Sequence, residues 1–385
     1  MDTIVRRTST ALRVLSGEDC GPVSFLNSRL LRNFLESAVS TPAKYLLYIE
    51  CRMQRTSSRF AQLTFNAVSK LRLLASHSNL VVRGTGRLFH KMIASRLLAV
   101  VGKKHTVDGY LYGRSMRMPA EHPLPAVLHL FPQYNRPLAM AIKAIASSSS
   151  GNADLTVVDV GANIGETVAV IEQLIPDVSY LCIEADEDIA RICKFNHRNN
   201  PRVQTEHCYI GENTGTLVIL HDDGRANPTT KLIDQANFDE SSDYGRLVRL
   251  DSVAGPFADA HNALSLIKVD TEGYDFSVLR SGATLIEHYR PALYFEWFPD
   301  LLADLQEQVW SGFDFLEGMG YLHFVFFSSQ GDYYCHLSKP DHFILKSLAS
   351  TASQNKSLLY FDVFTSTDEA VCLRLVELIT AKIPG

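Results

Sequence analysis

From residue 154 onward, short apolar β-branched runs alternate with stretches whose apolar residues recur every three or four positions. The runs 155–160, 180–183, 203–210, 216–220, 264–269, 292–296 and 358–364 predict strands, and 166–174, 188–198, 275–280 and 301–319 predict helices. Residues 321–328 and 332–336 flank Ser329-Gln330-Gly331 and predict a hairpin, and a helix closes the chain. Strand–helix alternation implies an α/β fold, a mostly parallel Rossmann-like sheet with right-handed crossovers, to which the hairpin adds an antiparallel edge.

The first third reads differently. Residues 28–40 and 45–75 carry Leu, Phe and Arg at helical spacing, so residues 1–105 form a helical N-terminal appendage. Residues 106–137 are punctuated by Gly109, Gly113, Pro119, Pro123, Pro125, Pro132 and Pro137 and read as extended pieces. A helix over 137–146 follows, and Ser147-Ser148-Ser149-Ser150-Gly151-Asn152 is the best linker, with the α/β domain taken as 151–385.

Charge separates the same regions. Residues 1–120 carry a net charge of +13 and the remainder −18, for a total of −5. Docking of the two parts accounts for this, and so does peripheral contact of the basic part with an anionic surface. No nucleic-acid module accompanies the basic residues, so nucleic acid is not the expected partner. No apolar run approaches the ~20 residues of a membrane span. Seven cysteines without a C-x-x-C pair indicate neither zinc nor a disulfide framework, and a reducing, cytoplasmic setting is expected. Cys182 and Cys208 sit in apolar runs as core filler.

Chemistry concentrates where strands end. Val158-Asp159-Val160-Gly161-Ala162-Asn163-Ile164-Gly165-Glu166 turns a buried strand into a helix. Such turns at the carboxyl edge of an open sheet bind ligands. The dinucleotide pattern G-x-G-x-x-G fails, because Asn163 and Glu166 replace its second and third glycines. Glu166 also puts negative charge where a pyrophosphate would sit, so a cofactor without phosphate fits better and a nicotinamide enzyme is disfavoured. Glu184 ends the next strand at the distance where a carboxylate meets ribose hydroxyls. Asp270 and Glu272 follow a third strand, and Glu296 ends a fourth among aromatic residues. These three acids are candidate bases or acceptor-orienting groups. Helix capping by Asp270 or Thr271, and a satisfied sheet-edge carboxyl at Glu296, are the plainer alternatives. His122 and His288 are weaker candidates. Two acids are too few to argue a metal.

Together VVDVGANIGET, IEAD and LIKVDTEGYDFSVLRSG resemble the FkbM family of S-adenosylmethionine-dependent methyltransferases. The resemblance covers roughly residues 154–300 and continues more weakly to about 365, with Thr271 as a mild departure. It implies methyl transfer from S-adenosylmethionine to a hydroxyl of a sugar, glycan or natural-product acceptor. It also implies that Asp159, Gly161, Ala162, Asn163 and Gly165 surround the amino-acid part of the cofactor and Glu184 its ribose. The competing reading is a non-catalytic binding or scaffold protein on the same fold.

Overall fold

The computed structural model describes residues 106–120, 122–148, 155–220, 229–232, 243–304, 308–355 and 360–381. The helices expected over 1–105 and residues 149–152 of the expected linker lie outside the described residues, whereas Ser147 and Ser148 are helical and extend the helix before it. The chain divides into two compact units, residues 1–109 with 118–130, and residues 110–117 with 131–385. Strands β1 (Thr106–Leu111) and β2 (Arg114–Pro119) run through both.

In the first unit, α1 (Leu124–Leu130) replaces the extended chain expected there. Pro123 stands just before it, where a fixed φ favours helix initiation and the missing N–H costs nothing. His122 is buried, and its Nδ1 accepts from the Leu124 N–H at 3.3 Å.

The second unit carries the α/β architecture. In chain order it holds α2 (Arg136–Ser148), β3 (Leu155–Val160), α3 (Glu166–Glu172), β4 (Val178–Glu184), α4 (Glu187–Asn196), β5 (Val203–His207), β6 (Tyr209–Ile210), β7 (Gly215–Leu220), β8 (Thr229–Leu232) and β9 (Asp243–Val248). Then come α5 (Leu250–His261), β10 (Leu266–Val269), α6 (Asp275–Ser281), α7 (Ala283–Tyr289), β11 (Ala292–Trp297), α8 (Pro299–Asp304), α9 (Ser311–Gly318), β12 (His323–Ser328), β13 (Tyr333–Leu337), α10 (His342–Gln354), β14 (Phe361–Ser366) and α11 (Glu369–Thr380).

The main sheet has the order β13-β12-β14-β11-β10-β3-β4-β5. From β5 to β11 all neighbours are parallel, and β14, β12 and β13 add antiparallel partners. The expected mostly parallel sheet with an antiparallel edge is therefore present. A second sheet, β6-β9-β7-β8, follows β5 in the chain. The chain leaves β3 toward β4 and returns beside it as β10, so the switch point of the sheet lies between β3 and β10.

Each face of the main sheet builds one core. Val158, Leu181, Ile267, Leu293 and Phe295 face α5, α6 and α9 residues such as Phe257, Phe276 and Phe313. Val157, Tyr180, Cys182, Leu266 and Tyr294 face α2, α3 and α11 residues such as Ile142, Val168 and Leu375. Burial on both faces is why the parallel strands read as continuous apolar runs. Cys182 and Cys208 are buried, as their apolar surroundings predict.

Three departures from the sequence reading have local causes. The helix expected over 301–319 is broken into α8 and α9, and the Trp297 indole pins the break by donating to the Val309 carbonyl at 2.9 Å. Helix α5 was not expected because Gly255 and Pro256 interrupt its pattern, yet its apolar side is buried at Leu250, Ala254, Phe257 and Ala258. Tertiary burial overrides propensity there. Helices α7 and α10 were also not expected. Asp341 caps α10, accepting from the Phe343 and Ile344 N–H groups at 2.8 and 3.0 Å.

Candidate active site

The carboxyl ends of β4, β3, β10 and β11 bring Glu184, the Gly161 turn, Asp270 and Glu296 to one edge of the sheet in that order. Strand β14 runs antiparallel, so its first residues meet the same edge, with Asp362 directly opposite Glu296. At ~4.8 Å per strand, Glu184 and Glu296 lie roughly 14 Å apart along the edge, with the switch point between them.

The turn after β3 is tied to its neighbours through the backbone. Gly161 and Ala162 donate N–H bonds to the Ile183 carbonyl at 2.9 and 3.0 Å, and Asp270 N donates to the Val160 carbonyl at 3.0 Å. Gly161 has φ +78°, and a Cβ there would stand 1.9 Å from the Asp270 carbonyl oxygen. Its lack of a side chain serves this backbone crossing, and not chiefly the approach of a ligand, as the motif alone suggests. Gly165 has φ +85°, and a Cβ would meet the His197 ring at 2.4 Å, so this glycine lets α4 pack. His197 Nε2 lies 2.9 Å from the Gly165 carbonyl oxygen.

Glu184 is held in place by the turn. Its Oε2 accepts from the Asn163 N–H at 2.8 Å and its Oε1 from the Asp186 N–H at 2.9 Å. Each oxygen keeps a further lone pair for a hydroxyl. Burial raises its pKa, and the Asp186 and Asn163 N–H bonds offset part of that.

Lys268, inside the strand that the apolar run 264–269 predicts, is the central cation. It faces Asp159 in the β3–β10 register, with Nζ 2.9 Å from Asp159 Oδ1 and 3.3 Å from Asp270 Oδ2. Burial pulls the ammonium pKa down, but Asp159, Asp270 and Glu166 more than offset it, and the pKa is raised well above the usual lysine range. Asp159 is fully buried, and its Oδ2 has no hydrogen-bond partner among the described residues. Glu166 accepts from Asn163 Nδ2 at 3.2 Å through Oε1, while its Oε2 is buried without a partner among the described residues. Burial pushes its carboxyl up to about 8.

Beyond Lys268 lies a second group of acids. Asp275 Oδ2 accepts from the Thr271 hydroxyl at 3.2 Å, and its Oδ1 accepts from the Glu296 N–H at 3.2 Å. It thus clamps the turn after β10 to β11. Glu296 is 8% exposed, and its Oε2 is buried with no hydrogen-bond partner among the described residues. Burial, followed by Asp270 and Asp275, raises its pKa well above the carboxylate range. Burial likewise pushes Asp275 to about 7 and Asp362 to about 8. Tyr294 lies beside Asp362, and Tyr134 beside Tyr360, near enough for each pair to shift the tyrosine's pKa. Both Tyr134 and Tyr360 titrate above the ordinary tyrosine range, chiefly through burial.

Of the three acids proposed from sequence for catalysis, Asp270 and Glu296 meet in this cluster. Glu272 is exposed on the turn, with a left-handed φ of 52° ahead of Gly273 at φ 91°. His288 is exposed on the last turn of α7, which leads into the opposite end of β11. Tyr134, Tyr360 and Asp362 carry no motif and were missed. An acid inside the apolar run Phe361-Asp362-Val363-Phe364 was the one signal available. Among the described residues no group of three or more His, Cys, Asp or Glu has the arrangement of a metal site.

The donor set suits a ligand of stated chemistry. A fixed carboxylate at Glu184 matches a vicinal diol, and the unpartnered oxygens of Asp159 and Glu166 beside the glycine turn match a positively charged group. The segment 159–322 matches the family model described as the methyltransferase FkbM domain. This stretch is an FkbM methyltransferase domain. Tyr134, Tyr360 and Asp362 lie outside the matched stretch and still reach its acidic edge. No curated protein matches the sequence. Among solved structures, the METTL16 MTase domain is 10% identical, with 67% of this chain and 75% of that chain covered at a TM-score of 0.38. The plantazolicin methyltransferase BpumL in complex with SAH is 10% identical over 80% of this chain and 99% of that chain, at a TM-score of 0.30. Precorrin-6y C5,15-methyltransferase from Geobacter metallireducens GS-15 is 11% identical over 60% and 86%, at 0.29. The likeness to this family rests on the match over residues 159–322 and not on these distant structures.

Proposed function

We propose that the chain is an O-methyltransferase that moves a methyl group from S-adenosylmethionine to a hydroxyl of a sugar, glycan or natural-product acceptor. The observation that carries this reading is the pair of carboxyls flanking the glycine turn. Glu184 is fixed by backbone N–H groups on one side, and Glu296 stands on the other with a buried oxygen that has no partner among the described residues.

S-adenosylmethionine, when bound, supplies a methyl group activated by a positively charged sulfur. Glu184 accepts hydrogen bonds from the ribose diol. Asp159, Gly161, Ala162, Asn163 and Gly165 would frame the amino-acid part, with the buried Asp159 Oδ2 and Glu166 Oε2 as acceptors for its ammonium. The acceptor enters over β10, β11 and β14. An alcohol is a weak nucleophile, and a base at its proton is worth about 10²–10⁴-fold. Glu296 is the first candidate, because its Oε2 has no hydrogen-bond partner among the described residues. Asp270 and Glu272 are the remaining candidates. Alignment of acceptor oxygen, methyl carbon and sulfur supplies several kcal/mol more.

Calorimetry with S-adenosylmethionine and with NAD tests the cofactor half of the reading, and only the former is expected to bind. Incubation with methyl-labelled S-adenosylmethionine and an acceptor extract tests the other half. Label on oxygen is expected, and label on nitrogen or carbon alone would overturn it.

A further inference from the structure

A lysine inside a parallel sheet is costly, and Lys268 sits in one. It stands beside Asp159 in the β3–β10 register, on the face of Val157 and Leu266 that α2 and α3 cover. Its Nζ is 2.9 Å from Asp159 Oδ1 and 3.3 Å from Asp270 Oδ2. Asp159 is fully buried, and its Oδ2 has no hydrogen-bond partner among the described residues. A buried ion pair seldom stabilises a fold more than apolar residues of the same size would. This pair stands two residues ahead of Gly161, at the switch point where open α/β sheets bind ligands. Besides Asp270, the groups that face it are Glu166 at the start of α3, Tyr180 and Cys182 on β4, His197 after α4, and Asp362 on β14. Burial raises Glu166, Tyr180 and Asp362, Cys193 chiefly raises Cys182, and burial lowers His197, so near neutral pH these groups are largely uncharged. Burial also pulls on the Lys268 proton, but Asp159, Asp270 and Glu166 hold it well above the usual lysine range. The charge beside the glycine turn is thus carried by Asp159, Lys268 and Asp270.

Resting on the proposed cofactor, we infer that Lys268 is a positioning residue: by occupying Asp159 Oδ1 it keeps that acid a carboxylate and leaves Oδ2 as a charged acceptor for the ammonium of S-adenosylmethionine. A fully buried carboxyl without a cation takes up a proton. It would then offer the ammonium a weaker neutral acceptor, or an O–H that competes with it. Glu166 Oε2 is the other buried oxygen beside the turn, but burial holds that carboxyl near 8, so it does not replace the charge. Asp270 completes the arrangement. Asp159, Lys268 and Asp270 together carry a net negative charge, which suits a cationic cofactor.

The test titrates S-adenosylmethionine into the full chain by calorimetry at about pH 6 and about pH 8, in two buffers of different ionisation enthalpy, so that protons released on binding are counted. Lys268→Met is expected to weaken binding about tenfold or more at the lower pH and to recover part of it at the higher. Binding to it should release up to about one proton more than binding to the parent, because the cofactor must ionise Asp159. Lys268→Arg keeps the charge and should keep the parent's proton count. In an Asp159→Asn background, Lys268→Met should cause no further weakening and no extra proton release. Equal losses in both backgrounds, or an unchanged proton count with only a lower melting temperature, would make the lysine structural and overturn the inference while the cofactor stands. Tighter binding by Lys268→Met would overturn it too, since the lysine would then repel the cofactor. A parent chain that binds no S-adenosylmethionine overturns the cofactor reading and the inference together. If Lys268→Met does not fold, Lys268→Gln, which keeps a donor without the charge, takes its place in the same comparison.

Discussion

A Cβ on Gly161 would stand 1.9 Å from the carbonyl oxygen of Asp270, at a position whose φ is already +78°. The two strand ends that frame the site are therefore fitted to each other through bare backbone. Gly161→Ala is expected to lower the stability of the ligand-free protein by about 2–4 kcal/mol, combining left-handed strain with displacement of the β10 end. Urea unfolding without ligand reads this directly. A variant as stable as the parent that loses only cofactor affinity would return the glycine to the ligand-facing role that the motif suggests.

Glu184 joins the loop and the proposed ribose site. Glu184→Ala is expected to weaken S-adenosylmethionine binding by about 1–3 kcal/mol, since the lost bonds involve a charged acceptor. It also orphans the Asn163 and Asp186 N–H groups, so a smaller loss of ligand-free stability should accompany it. Calorimetry and thermal melting on the same preparation separate the two. A fall in melting temperature with unchanged affinity would make Glu184 a fastener of the turn and nothing more.

How far these relationships were legible in the sequence depends on whether they follow from one segment or from two. The apolar runs ending in Gly161, Glu184, Asp270 and Glu296 marked β3, β4, β10 and β11 and their shared edge, because burial on both faces leaves an unmistakable run. The Lys268–Asp159 pair was not legible. It exists only because β10 returns beside β3 in a register that sets those two residues opposite one another. Tyr134 and Asp362 were missed for the same reason, since they reach the edge from segments whose neighbours in sequence carry no motif. Helix α5 was hidden by Gly255 and Pro256, whose local cost is met by the burial of Leu250 and Phe257.

Asp362 gives the cluster a measurable pH signature. Its carboxyl is pushed by burial up to about 8, so the folded protein holds a proton that the unfolded chain releases above the ordinary aspartate range. A raised acid contributes stability that is present below the unfolded pKa and is lost as pH rises through the folded one. Relative to Asp362→Asn, which cannot ionise, the parent should therefore become less stable between pH 5 and pH ~8.5. Glu166, at about 8, and Asp275, at about 7, act in the same direction. Urea unfolding of both proteins at the two pH values checks the sign. A difference that stays constant, or turns in favour of the parent, would show that Asp362 is ionised in the folded protein.

Glu296 carries the remaining weight of the proposed chemistry. In the ligand-free protein, burial and the nearby Asp270 and Asp275 hold its carboxyl protonated well above the carboxylate range. To act as a base it must lose that proton, and a positively charged sulfur at the edge favours the ionised form. Turnover should then rise with pH until the group has ionised. Glu296→Gln keeps the shape and the backbone bond from Glu296 N to Asp275 but cannot accept the acceptor's proton. It is expected to lower kcat by about 10²–10⁴-fold with cofactor affinity nearly intact, and to remove the rising limb of the pH profile. Asp270→Asn, which also releases one contact of Lys268, should lower turnover with some loss of stability. Glu272→Gln, on an exposed turn residue, should change kcat least. Should Glu296→Gln keep both its turnover and its pH profile, the proton leaves by another route. The larger effect of Asp270→Asn or Glu272→Gln would then name that route, and unchanged turnover in all three would mean that alignment alone drives the transfer.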